Sequence, residues 1–470
     1  MKIGLDGKNG ILLDVPNLDE IREAFSVEND NPRALFGARK YAITPTGRFE
    51  VGLWGEIQKN IEGDWNVNKE FLEKFNPKLD IKNIENVPGF KYYDYQLEAI
   101  QSMISNGRGI ILVGTGGGKT LIGGGFCKTI LKNYPKSKIL VMVPSIMLLN
   151  QTFDEFKKFG LSVTCWGGEN IPDLDKSILV ANYQILLSDI KRTLKIVKNY
   201  NFVLVDECHK QKRNNKINKI IHNIYTDNKF GFTGTLPDSK LDEWNVIGKI
   251  GPVIYKKSSV ELRGINAISN VKAVVIKLEH KDQPNRVYQL PIALGGTGFV
   301  PTAQYTEEIN FLYNKEWRNK FIIDMADKLK GNVLILVDRI EHGTLLKQAV
   351  NDSGVKRGEF IQGLTDDVTR DSIKHLMESN TDIVCVAMSS IFSTGVSVKN
   401  LKYVIFVCIG KSKTKVIQSI GRSLRLHPDK KQAVIFDITD NTEYSSIHND
   451  KRLEFYEEEQ ISYEIKKIKE

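Results

Sequence analysis

Two short stretches carry residue types and spacings suited to phosphate chemistry. In "ILVGTGGGKTLIGG" (111–124) an apolar run ends at Val113 and passes through Gly114, Thr115, Gly116, Gly117 and Gly118 into Lys119 and Thr120. A strand, a glycine loop and a helix in that order form a cradle for phosphate. The backbone N–H groups face the anion, and the helix N-terminus adds its dipole. Lys119 is placed to reach the β and γ phosphates, and the Thr120 hydroxyl to ligate Mg²⁺. The strict GxxxxGK[ST] spacing is not met, because Val113 stands at its first glycine. In "NFVLVDECHK" (201–210) a second apolar run ends in Asp206, Glu207, Cys208 and His209. Such a strand end supplies an acid for the metal, Asp206, and a neighbouring carboxylate to orient the attacking water, Glu207. Cys208 and His209 alone are one or two ligands short of a zinc site. His209 is read instead as a polar relay.

A third stretch, "QSIGRSLR" (418–425), places Arg422 and Arg425 three apart, on one helix face. A guanidinium meets the charge that spreads over a departing γ-phosphate with two hydrogen bonds. Surface ion pairing is the plainer reading of an isolated pair. The preceding Gln418 and Gly421 favour the catalytic one.

The elements that must position these residues are visible as a rhythm. From about residue 90, continuous Val/Ile/Leu runs alternate with helix-length amphipathic segments. Runs of this kind suit strands buried on both faces, and the alternation implies βαβ units with parallel sheets. The expected fold is α/β, with two tandem domains at 86–262 and 263–445. A small α/β domain at 1–85 precedes them, and a tail at 446–470 follows. The polar, Gly- and Pro-rich stretch 278–304 reads as a long loop or insertion. In "YAIT…PTG…RFEVGL" (41–53) two short strands lead into a helix.

Composition narrows the class. The chain has 470 residues, 41% hydrophobic and 26% charged, with a net charge of +9. Residues 1–85 carry −3 and the remainder +12, which suits a polyanionic partner. Five cysteines, none spaced as CxxC, fit a reducing compartment and argue against a zinc or iron–sulfur site. No apolar run reaches the ~20 residues of a membrane helix, and no export signal is read at the start. A cytoplasmic protein is expected.

The order of these motifs resembles the superfamily 2 helicases. "YDYQLEAI" (93–100) is similar to their adenine-reading Q motif, with Gln96 the key residue. "VMVPSIMLLNQ" (141–151), "WGG" (166–168) and "ANYQIL" (181–186) look like the strand-gripping motifs of the first domain. "FTGTLPD" (232–238) resembles the coupling motif at Thr233 and Thr235. "VLILVDRIEHG" (333–343), "MSSIFSTGVSVKNL" (388–401) and "QSIGRSLR" follow in the second domain. The wording from 389 to 440 is closely similar to the phage UvsW-type recombination helicases, which rewind and branch-migrate DNA.

The resemblance implies two RecA-like domains, ATP and Mg²⁺ as cofactors, and DNA, single-stranded and branched, as partner to a monomer. Gly395 joins the ATP site. Nucleic-acid contacts, mostly to phosphates, fall to Ser145, Gly167, Gly168, Asn182 and Gln184 in the first domain. In the second they fall to Gly363, Thr365, Ser393 and Thr394. The segment 1–85 would touch duplex DNA through basic residues between Arg33 and Arg48, among them Arg39 and Lys40. An RNA helicase or clamp shares every nucleotide motif. A scaffold that binds nucleotide without turnover is the reading from another class.

Overall fold

The computed structural model describes residues 1–29, 38–213, 215–286, 301–363, 365, 367–380, 382–389, 401–407 and 432–470. It divides into two compact units, Met1–Ser258 and Ser259–Glu470. Among the described residues, no helix is long and apolar enough to cross a membrane.

The first unit opens with strands β1 (Lys2–Asp6), β2 (Asn9–Leu13), β3 (Ser26–Glu28), β4 (Arg39–Tyr41), β5 (Arg48–Glu50) and β6 (Asn66–Val67). Four of them make a mixed sheet in the order β5-β2-β1-β6, and β3 pairs with β4. Seven strands follow: β7 (Gly109–Val113), β8 (Ile139–Val143), β9 (Val163–Trp166), β10 (Ile178–Asn182), β11 (Phe202–Asp206), β12 (Lys229–Thr233) and β13 (Val253–Lys257). They form one parallel sheet, ordered β13-β7-β12-β11-β8-β10-β9. The interior strands are buried along nearly their whole length, as continuous Val/Ile/Leu runs require.

This order decides where chemistry can occur. β12 lies between β7 and β11, so the loop after β12 sits between the glycine loop and the DECH turn. On the other side of β11, strands β8, β10 and β9 end together. Crevices beyond the carboxyl ends of parallel strands are the ligand sites of open α/β sheets.

Residues 1–85 share a core with the motor half. Phe25, Phe49, Trp54 and Phe71 cluster with Leu241 and Trp244 of the helix Lys240–Ile250. The Phe25 and Trp244 rings lie 5.1 Å apart. Gly52 packs so closely on that helix that a Cβ would fall 2.2 Å from the Ile247 carbonyl oxygen.

The second unit contains β14 (Asn270–Glu279), β15 (Val333–Val337), β16 (Arg357–Ile361), β17 (Ile383–Met388), β18 (Tyr403–Phe406), β19 (Gln432–Asp440) and β20 (Ser462–Lys469). The sheet is parallel, ordered β16-β17-β15-β18-β19-β14-β20. Two sequence expectations are corrected here. Residues 446–470 are no tail: the helix Glu443–Glu458 leads into β20, which pairs with β14 along its length. The stretch 278–304 begins inside β14 and ends inside the helix Pro301–Asn314. Lys and Glu in β14 break the apolar run, but the strand is covered on both edges by β19 and β20. A buried Arg318–Asp440 pair, 2.9 Å, with His280 on the same carboxylate at 2.8 Å, ties three parts of this unit together. Two seven-stranded parallel sheets flanked by helices are the architecture of tandem RecA-like domains.

Candidate nucleotide site and nucleic-acid interface

The glycine loop runs from β7 into the helix Lys119–Asn133. Gly116 and Gly118 hold φ of +87° and +77°, a region that strongly favours glycine. The loop closes on itself through the Gly117 N–H, which donates to the Gly114 carbonyl at 3.1 Å. Behind it stands the helix Asp94–Asn106. Gln96 is buried there; its Oε1 accepts from the Tyr93 N–H and its Nε2 meets the Gly117 carbonyl at 3.4 Å. A Cβ at Gly118 would fall 2.5 Å from that same Nε2. Tyr95, which sequence reasoning passed over, donates its hydroxyl to the Gly117 carbonyl at 2.8 Å. It lies within the quoted Q-motif stretch, but nothing in that stretch marks a hydroxyl partner 22 residues away.

Lys119 donates to the Val113 carbonyl at 3.2 Å. Together with Thr120 and Asp206 it lines a cavity of about 30 Å³. A hydroxyl and a carboxylate on one small cavity are hard oxygen donors, the set a magnesium ion takes. Asp206 and Thr120 would hold the ion, with the remaining positions left to water and phosphate.

Asp206 ends β11, and Glu207 turns out of the strand at φ +49°, ψ +48°. A non-glycine residue in this region is strained, and the turn separates two adjacent carboxylates. The Glu207 N–H donates to Asp206 Oδ1 at 3.0 Å. Tyr183, a second residue the sequence reading missed, donates its hydroxyl to the Asp206 carbonyl at 2.8 Å. Burial and the Glu207 charge hold the Asp206 carboxyl above its ordinary range. Burial also acts to raise Glu207, but the His209 hydrogen bond and the Lys119 charge outweigh it and leave that carboxyl low. The pair thus holds its first negative charge on Glu207. A cation at Asp206 would supply the countercharge for the second.

His209 Nδ1 lies 3.2 Å from Glu207 Oε2 and 2.8 Å from Thr233 Oγ1. Thr233 in turn donates to the Thr235 carbonyl at 2.7 Å. Since that proton is committed, Thr233 accepts from the imidazole, and Nδ1 carries hydrogen. Gly234 packs against the glycine loop, where a Cβ would sit 3.3 Å from Thr115 Oγ1. Cys208 points elsewhere, into the core, with its sulfur against Gly231. Burial pushes its thiol well above the usual range.

The second half of the edge gathers the other first-domain candidates. Ser145 follows β8 and caps the helix Ile146–Lys158, accepting from the Leu148 N–H at 3.3 Å. Asn182 ends β10, accepts from the Ile185 N–H at 3.1 Å and donates to Gln184 at 2.8 Å. Gly167 follows β9 and abuts Asn182, where a Cβ would fall 3.0 Å from Oδ1. Gly168, exposed at φ +60°, comes next. In the second unit, Gly363 and Thr365 follow β16. The Gly363 carbonyl accepts from Arg370 at 3.1 Å, and the Thr365 hydroxyl accepts from the Gln362 N–H at 3.0 Å.

Ser393, Thr394, Gly395, Gln418, Arg422, Arg425 and Arg33 lie outside the described residues. Of the N-terminal candidates, Arg39 pairs with Glu23 at 2.7 Å and Arg48 with Asp6, while Lys40 neighbours Arg39 on β4.

The geometry meets its counterpart in known proteins. The model of the "Type III restriction enzyme, res subunit" family matches residues 89–238, and that of the "Helicase conserved C-terminal domain" matches 317–427. The ATP-dependent DNA helicase uvsW of Enterobacteria phage T4 is 27% identical, over 96% of this chain and 95% of that protein. Putative helicase 22 of a Sulfolobus islandicus filamentous virus is 25% identical over 79% of this chain and 68% of its own length. In fold, S. cerevisiae Dbp5 bound to RNA and ADP BeF3 matches with a TM-score of 0.56 at 12% identity, covering 81% of this chain and 90% of that one. A DECH strand end beside a GKT loop, two RecA-like halves and these relatives make the chain an ATP-dependent helicase of superfamily 2, related to phage uvsW.

Proposed function

We propose that this helicase uses Mg²⁺-ATP to move on DNA, and that its preferred substrates are branched: forks and four-way junctions that it unwinds, regresses or migrates. One observation carries the motor reading. The hydrogen-bonded line Glu207–His209–Thr233–Thr235 starts at the carboxylate that would orient water and reaches the loop after β12, next to the glycine loop. Asp206 and Thr120 hold the metal, Lys119 the phosphates. Arg422 and Arg425, from the second domain, meet the charge of the departing phosphate. Ser145, Gly167, Gly168, Asn182 and Gln184 grip the backbone of a strand, a role shared by Gly363, Thr365, Ser393 and Thr394 of the second domain. Such contacts read phosphate, so binding is blind to sequence and falls steeply with salt.

The branched-DNA part rests on residues 1–85. The likeness to the phage DNA helicase extends through them, and they share a core with the motor half. A rigid second contact on duplex, beside a motor holding one strand, raises junction choice through effective concentration. Arg39, Lys40 and Arg48 would make it. The test is ATPase activity of the full chain on single-stranded DNA, duplex, fork, four-way junction and RNA, with and without the double reversal Arg39→Glu, Lys40→Glu. We expect DNA stimulation, strongest on junctions, with the reversal erasing only the junction preference. Stimulation by RNA alone would overturn the DNA reading, and an unchanged preference in the reversal would reduce residues 1–85 to a structural cap. A truncation is a poor substitute, because removing Phe25 and Trp54 would strip the cover from Leu241 and Trp244.

A further inference from the structure

A cavity of about 560 Å³ opens at the seam between residues 1–85 and the motor half, formed by parts of both. Its size falls within the range of small-molecule sites. Of the residues given roles above, Arg48 alone lines it. Phe49 and Leu241 supply apolar wall. Four cationic side chains line it, Arg48, Arg213, Lys219 and Lys249, with one carboxylate, Glu50. That carboxylate is already engaged by Lys249 and His222. Arg213 and Lys219 are exposed and have no ion-pair partner among the described residues.

Two further lining residues carry hydrogen-bonding atoms with nothing to bind. Trp244 is 7% exposed, and its indole Nε1–H is buried without an acceptor. Asn218, also 7% exposed, leaves its Oδ1 buried without a donor. The orientation of that amide is set by its neighbours: Nδ2 donates to the carbonyls of Lys212 at 2.8 Å and Arg213 at 3.3 Å. Exchanging O and N would set the oxygen against two carbonyls, so Oδ1 is the orphan. Buried polar groups are satisfied in the great majority of cases, and both orphans belong to residues that line this one cavity.

We propose that this seam cavity binds one nucleotide unit, a nucleoside monophosphate taken free or as the terminal unit of a DNA strand. The phosphate meets Arg213 and Lys219, which match an anion by charge-assisted hydrogen bonds. The Trp244 N–H donates to an acceptor on the ligand, and Asn218 Oδ1 accepts from an amino or hydroxyl group. The base and sugar lie against Phe49 and Leu241. A bare phosphate leaves the apolar wall of Phe49 and Leu241 uncovered, and a nucleoside leaves the cations unmatched, so the two parts are needed together. This assignment does not depend on the branched-DNA reading.

The experiment follows the indole N–H signals of the ¹⁵N-labelled full chain, whose five tryptophans give few peaks; Trp244 is assigned with Trp244→Phe. Titrants are deoxyadenosine 5′-monophosphate, deoxyadenosine, inorganic phosphate and a short oligodeoxynucleotide, with MgADP present throughout to fill the glycine-loop site. The Trp244 signal is expected to move with the monophosphate or the oligonucleotide, and the more potent of the two identifies the source. In Arg213→Ala, Lys219→Ala the half-saturating concentration should rise about tenfold or more. A Trp244 signal that is unmoved by either, or moved equally by phosphate alone, or unaffected by removing the two cations, would overturn the proposal. Both cations are exposed, so the variant tests binding without disturbing the core.

Discussion

The imidazole of His209 stands 2.8 Å from the Thr233 hydroxyl while also facing Glu207 at 3.2 Å, so one ring nitrogen serves two motifs. A change at the Glu207 carboxylate is therefore felt at the loop after β12 through a single N–H. Removing the Thr233 hydroxyl cuts the line beyond the catalytic carboxylate. Thr233→Val is expected to keep basal ATPase within roughly threefold while unwinding falls more than about tenfold, the scale of a 1–3 kcal/mol coupling. Parallel ATPase and strand-displacement assays check this; equal loss in both would assign Thr233 to hydrolysis itself.

Glu207→Gln should leave nucleotide affinity nearly intact and lower turnover by about 10³. The amide keeps the size of the side chain and loses the charge that would orient water, while Asp206 would still be free to hold the metal. Fluorescent-nucleotide binding and single-turnover phosphate release read the two effects separately. Turnover within a few-fold of the parent would remove Glu207 from the water-orienting role.

Gly118→Ala tests the glycine loop through two independent costs. The position holds φ +77°, and the new Cβ would meet Gln96 Nε2 at 2.5 Å. Backbone strain alone is worth about 1–3 kcal/mol. Nucleotide affinity should drop by about tenfold or more, with the melting temperature of the unliganded chain lowered as well. Unchanged affinity in a calorimetric titration would show that the loop rearranges freely.

The Glu50 carboxylate faces Lys249 and lies 3.3 Å from His222 Nδ1. Burial pushes its pKa up, but the His222 hydrogen bond and the Lys249 charge outweigh burial and hold it at about 2, below the ordinary 4.5. A folded value below the unfolded one means that stabilisation is present above pH ~4.5 and is lost as pH falls towards ~2. Glu50→Gln should cost roughly 1–2 kcal/mol at neutral pH, a figure reduced for partial exposure. It should also flatten the acid decline in that window. Urea midpoints measured from pH 2 to 7 decide; parallel curves for both proteins would show that the ion pair contributes nothing.

Much of the fold was legible because its central strands announce themselves. The runs at β7, β8, β10, β11, β12, β15, β17, β18 and β19 are dominated by apolar residues, as burial on both faces demands. The strands that went unread are chiefly edges. β9 and β13 bound the first sheet, β16 and β20 the second. An edge strand touches solvent along one side and tolerates Lys, Glu and Thr, so "SYEIKKIK" (462–469) carries no apolar run to read. The site residues in the glycine loop and the DECH turn were legible because local backbone chemistry sets them. Tyr95 and Tyr183 were not, since their hydroxyls serve carbonyls 22 and 23 residues away.

The shared core of residues 1–85 and the helix Lys240–Ile250 has a consequence for how the chain acquires its structure. Synthesis delivers Phe25 and Trp54 long before Trp244 exists, and Lys8 must wait for carbonyl partners as distant as Asn223, 215 residues later. Closing so long a loop is entropically costly and slow, and apolar surface meant for Trp244 stays uncovered in the meantime. The amino-terminal sheet is thus early to emerge and late to finish. Its completion is a report that six of the seven strands of the first motor sheet, β7 to β12, threaded between those two segments, have already been made.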